Sequence, residues 1–140
     1  MNTIIALRGV ANRGKTASIK RVYDLLKGAY SKAMFQEIVV GVDIQIIITI
    51  DGVKVGIESQ GDPNSRQLKS LKTFVKVGCK VIVCATRSYG MTVDAVNSLS
   101  KQYNIQWLKK QATQTKRAQD VANDEMATQI FHAVQVALVA

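Results

Sequence analysis

Scarcity is the first feature of this 140-residue sequence, which holds two cysteines, one proline, one histidine and one tryptophan. Cys79 and Cys84 lie in one apolar run and lack the paired spacing of a zinc or redox site, which excludes a disulfide framework and a cysteine-held metal. They read as buried, reduced thiols of a cytoplasmic protein. His132 has no second histidine to share a metal and reads as an incidental or packed side chain. The longest apolar tract, Val134 to Ala140, is far too short to cross a bilayer, and Met1-Asn2-Thr3 leads straight into strand-like sequence. No membrane span and no cleavable signal are therefore expected. Acidic residues are also few: 10 against 19 lysines and arginines, a net charge of +9. That balance suits polyanionic partners such as nucleotide phosphates or nucleic acid.

What is present alternates between two periods. Ile4 to Leu7 is a compact apolar run closed by Gly9, the pattern of a buried parallel strand. From Lys15, Ile19, Val22, Tyr23, Leu26, Tyr30 and Ala33 recur at helical spacing, with Lys20, Arg21, Lys27 and Lys32 opposite. Val42 to Ile50 and Val53 to Ser59 are rich in β-branched residues and flank Asp51-Gly52, a hairpin signal. Asp62-Pro63 reads as a helix start, Asp62 as N-cap and Pro63 at the first helical position, with Leu68, Leu71 and Val75 facing inward. Cys79 to Ala85 is a second buried strand, Thr92 to Tyr103 a helix, and Ile105 to Leu108 a last strand. Residues 118 to 138 read as a final helix with Met126, Ile130, Phe131, Val134 and Leu138 inward. No repeat, low-complexity stretch or linker divides residues 1–140, so one domain is expected. Its class is α/β, three-layered, with a mostly parallel sheet and a β-hairpin giving one antiparallel strand.

Between the first strand and the first helix stands Gly9-Val10-Ala11-Asn12-Arg13-Gly14-Lys15-Thr16, the pattern G-x-x-x-x-G-K-[ST]. Glycines let successive N–H groups curl inward around a β-phosphate, and the helix beginning there adds a positive dipole end. Lysine at this place reaches the β- and γ-phosphates and the threonine hydroxyl ligates Mg²⁺. A chance match in a chain this short is on the order of 1%. On these residues the chain resembles the P-loop NTPase superfamily, and the element order is similar to that of a minimal small-GTPase core. The resemblance implies a P-loop fold binding a nucleoside triphosphate and Mg²⁺ through Gly9 to Thr16 and Ala17.

Hydrolysis or transfer also needs a carboxylate at the end of a neighbouring strand. Glu58-Ser59-Gln60-Gly61 looks like the D-x-x-G segment of small GTPases with Glu for Asp. By that resemblance Glu58 would hold the metal through water and the Gly61 N–H would touch the γ-phosphate. Asp62 is the rival metal carboxylate, and Gln60 a candidate to orient water. The guanine-reading N-K-x-D sequence is absent, and no threonine between Ala17 and Ile48 can serve as a γ-phosphate switch, which favours ATP over strict GTP use. Arg87, after the Cys79–Ala85 strand, is placed to stabilise a transferring phosphoryl group in its own or an adjacent subunit, so an oligomer fits. Tyr89 is placed to stack on a base. Lys69, Lys72 and Lys76 on one helix, and Lys109, Lys110, Lys116 and Arg117 around a polar loop, suit nucleic-acid phosphates, although no aromatic is interleaved with them. Three functions follow as expectations: Mg²⁺-dependent hydrolysis or phosphoryl transfer, with Lys15, Glu58 and Arg87 acting; a nucleotide-sensing, nucleic-acid-associated module with little turnover; or a structural or assembly protein that keeps the P-loop fold without working chemistry.

Overall fold

Apolar runs without alternation mark strands covered on both faces, and β1 (Asn2–Arg8) is such a strand. In the computed structural model, which describes residues 2–10, 14–110 and 115–140, Ile5 and Leu7 point into one core while Ile4 and Ala6 point into another. The remaining elements are α1 (Lys15–Ala29), β2 (Met34–Val39), β3 (Gln45–Ile50), β4 (Val53–Glu58), α2 (Gln67–Lys76), β5 (Val81–Thr86), α3 (Met91–Asn97), β6 (Tyr103–Lys109) and α4 (Lys116–Leu138). One six-stranded sheet runs in the order β2-β3-β4-β5-β1-β6. Strands β4, β5, β1 and β6 are mutually parallel, and β3 alone runs against both neighbours. The α/β class, the mostly parallel sheet and the single reversed strand agree with the sequence reading.

Helices cover both faces. Ile19, Val22 and Leu26 of α1 and Ala127, Ile130 and Val134 of α4 pack on one side with Ile5 and Leu7 of β1 and Ile46, Ile48 and Ile50 of β3. Leu71 and Phe74 of α2 and Val96 of α3 pack on the other with Ile4, Ala6, Ile82 and Cys84. The hairpin forms where Asp51-Gly52 predicts it, with φ of 48° and 81° at the two turn residues, the geometry of a type I′ turn.

Three local readings need correction. Strand β2 escapes the sequence reading because it is an edge strand with four of its six residues exposed, so no apolar pattern marks it. Asp62 is not a helix cap: α2 begins at Gln67, after a turn in which Ser65 N donates to the Asp62 carbonyl and Asn64 adopts φ 59°. The inner face of α2 is accordingly Gln67, Ser70, Leu71 and Phe74, with Val75 partly buried beside them as expected and Leu68 46% exposed. Tyr103 belongs to β6 rather than to the preceding helix; its hydroxyl donates to the Cys79 carbonyl, which draws it into the sheet.

Candidate functional site

Parallel strands bring their carboxyl ends to one edge of the sheet, and the segments after β1, β4 and β5 meet there. Segment 9–16 follows β1; Ala11, Asn12 and Arg13 lie outside the described residues. At its end Gly14 precedes α1 with φ 84°, a conformation that suits glycine. A Cβ at Gly14 would also strike the side-chain amide of Asn123 on α4. The Ser18 hydroxyl donates to the Gly14 carbonyl at 2.9 Å and lies 3.3 Å from Asn123 Oδ1. Two helices thus fix the point where the segment turns into α1.

Lys15 is 7% exposed, and its ammonium donates to the carbonyls of Gly9 and Thr86 at 2.6 Å each, bridging the ends of β1 and β5. Burial lowers its pKa to about 8; the nearby Asp62 carboxylate raises it and the Arg87 guanidinium lowers it further. The Thr16 hydroxyl faces Asp43 Oδ1 at 3.2 Å, and the Ser59 hydroxyl donates to the same oxygen at 2.8 Å. Lys15, Thr16, Ala17, Asp43, Gly61 and Asp62 all line one open cleft of about 730 Å³. Gly61 is forced by close approach: a Cβ there would lie 2.7–2.8 Å from Ala85. Arg87 donates through Nε to Asp62 Oδ1 at 2.8 Å, which brings Lys15, Asp62 and Arg87 together.

Glu58 is placed differently. It is fully buried, and its Oε1 accepts from Arg66 Nε at 2.7 Å and Ser70 Oγ at 2.5 Å while Oε2 accepts from Gln60 N at 2.9 Å. The Gln60 amide oxygen accepts from Arg66 N at 3.0 Å. Both residues are engaged in holding the approach to α2, and Glu58 does not line the cleft. One strand, β5, also separates β4 from β1. The carboxylate facing Thr16 is Asp43, which sequence reading missed. A signal did exist: β3 pairs with β4 so that Gln45 opposes Glu58, and two further residues of that register set Asp43 against Gln60.

Among the described residues no three or more His, Cys, Asp or Glu side chains converge as a metal cage. The donor set at the cleft is instead the hydroxyls of Thr16, Ser59 and Ser65 with the carboxylates of Asp43 and Asp62. Mg²⁺ with a polyphosphate asks for no more, since phosphate oxygens and waters complete its octahedron. The residues fit. Val10, 53% exposed, sits outside this cleft, on the β6 side of the segment. Tyr89 is 83% exposed on the loop after Arg87. No helix among the described residues is long and apolar enough to cross a membrane. No family model, curated protein or solved structure matches the chain.

Proposed function

We propose that the chain has the three-layer P-loop fold and binds a nucleoside triphosphate with Mg²⁺ at residues 9–17, promoting slow hydrolysis or phosphoryl transfer. The observation that carries this reading is the meeting of Lys15, Thr16 and Asp43 at one cleft at the amino end of α1. Lys15 holds two neutral carbonyls, and a phosphate oxygen is a stronger acceptor for an ammonium than either, so a triphosphate competes well for it. The first turn of α1 presents its N–H groups and a positive dipole end to the same anion. Mg²⁺, when bound, neutralises charge on the phosphate oxygens. Thr16 and Asp43 would hold it, with Asp62 as the second carboxylate. Arg87, carried by Asp62, is near enough to Lys15 to act on charge that develops at the transferred group. ATP is the expected nucleotide because N-K-x-D is absent.

One observation favours a second reading, a nucleotide sensor with little turnover. Glu58 and Gln60, the two residues that sequence would assign to water, are both tied to the start of α2. Calorimetric titration with ATP, with and without Mg²⁺, followed by phosphate release, separates these readings. Lys15→Ala is expected to weaken ATP by about a hundredfold, roughly 2.7 kcal/mol. Unchanged affinity would remove the site. Phosphate release that Asp43→Asn abolishes supports the enzyme; binding without release supports the sensor.

A further inference from the structure

Strand β6 is an edge strand of the sheet, and the chain's one tryptophan lies on it. Trp107 packs partly against the α2–α3 core, on the face shared with Arg8 of β1. The Arg8 guanidinium stands 5.4 Å from the centre of the indole ring and is held there by Nε donating to the Ser88 carbonyl at 2.6 Å. Two residues past Trp107, Lys109 is exposed on the same face. The Lys110 ammonium is buried and has no hydrogen-bond partner among the described residues. Arg8, Trp107, Lys109 and Lys110, with Gly9 and Val10, line a pocket of about 430 Å³. That lining contains no carboxylate, and none of its residues belongs to the Lys15–Asp43 cleft.

An aromatic face fixed beside cations, with no acid among them, suits a ligand that is planar and anionic at once. A base with its flanking phosphodiesters has both properties. Stacking on one partly covered indole needs a base that is free of its complement, as in a single strand. Arg8 of β1 lies over one face of the ring and Lys109 stands two residues further along β6, so a base stacked on Trp107 would carry its phosphates past both cations. The net charge of +9 draws the same polymer.

We propose that this pocket is a single-stranded nucleic-acid site, in which Trp107 stacks on a base and Arg8 and Lys109 hold the adjoining phosphates. It goes beyond the nucleotide reading and does not depend on it. The test is fluorescence anisotropy of a labelled oligothymidylate titrated with the full chain at low salt, with Trp107 emission followed in parallel. Saturable binding with quenching of Trp107 is expected. Trp107→Leu should weaken binding about tenfold, as should the surface change Lys109→Glu. Lys109→Glu should also reduce the slope of log affinity against log salt by about 0.7, one phosphate contact for a single strand. The proposal falls if no binding is seen, if Lys109→Glu binds as the parent does, or if duplex binds as well as single strand. It falls equally if ATP displaces the oligonucleotide while quenching Trp107, which would make the pocket the seat of the nucleotide's own base.

Discussion

Lys15 carries a proton less firmly than an ordinary lysine because its ammonium is buried away from water, and that outweighs the nearby Asp62 carboxylate. Its pKa is about 8 in the folded chain against 10.5 when unfolded. Between those values the unfolded chain holds the proton and the folded chain has released it, so stability rises with pH across that window and levels off above it. Below about 8 both states are protonated and this residue adds no slope. Urea midpoints across that range, parent against Lys15→Met, should show the rise only in the parent. Affinity for ATP should move the opposite way, falling as pH passes through about 8, because a neutral amine loses its attraction for phosphate. The two carboxylates divide by the same test of surroundings. Glu58→Gln leaves Arg66 without its buried partner and should cost about 3 kcal/mol in urea denaturation while folded protein still binds ATP. Asp43→Asn should cost less than about 1 kcal/mol, since Asp43 is only half-buried, and should instead remove most of the gain in ATP affinity that Mg²⁺ confers. If Glu58→Gln rather than Asp43→Asn removes that gain, the metal lies with Glu58.

Between elements, contact distances decide what a position tolerates. Strand β4 approaches α2 so closely that a Cβ at Gly56 would lie 2.6–2.8 Å from the Phe74 ring. Gly56→Ala should therefore lower stability by about 1–3 kcal/mol by overpacking. Phe74→Leu alone should also destabilise, by leaving a void in the α2–α3 core. Combined, the two changes should cost clearly less than their sum in thermal denaturation, because the smaller side chain makes room for the methyl group. Strict additivity would mean that β4 and α2 do not meet at this point. The tie has a bearing on the cleft, because Ser70 and Arg66 at the start of α2 hold Glu58, and the Gln60 backbone follows.

Across the molecule, the two cores lie on opposite faces of one sheet, and opening either exposes strands shared by both. Cys79 and Cys84 both lie in the α2–α3 core and report on whether it opens with the rest. Both are fully buried, and burial pushes their thiol pKa values up to about 11 and about 12. Neither should react with a thiol reagent at neutral pH while the chain is folded. In a urea series both should become reactive together, at the midpoint seen by circular dichroism. Labelling of both well before that midpoint would show that the face carrying α2 and α3 opens on its own.

The sequence by itself determined what depends on a few consecutive residues. Gly9 to Thr16 marks the segment between β1 and α1, Asp51-Gly52 marks the turn, and the spacing of Ile19, Val22 and Leu26 marks the buried side of α1. Each signal works because its physics is local: a positive φ, a two-residue turn, a helical period. Tertiary structure alone decided which distant groups meet. Strand β5 enters between β1 and β4 and sets Glu58 one strand away from the Lys15 segment, a consequence of sheet order that no local pattern encodes. Asp43 reaches Thr16 across 27 positions of chain, and Arg8 reaches Trp107 only because β6 pairs beside β1. Strand β2 forms without an apolar pattern because β3 offers it an open edge of backbone donors and acceptors. Asp62-Pro63 carries a sound local helix signal, yet the Asp62 carboxylate pairs with Arg87 instead and the helix begins five residues later. In each case an ion pair, a hydrogen bond or a strand pairing between residues far apart in the chain outweighed, or supplied what was missing from, the local preference.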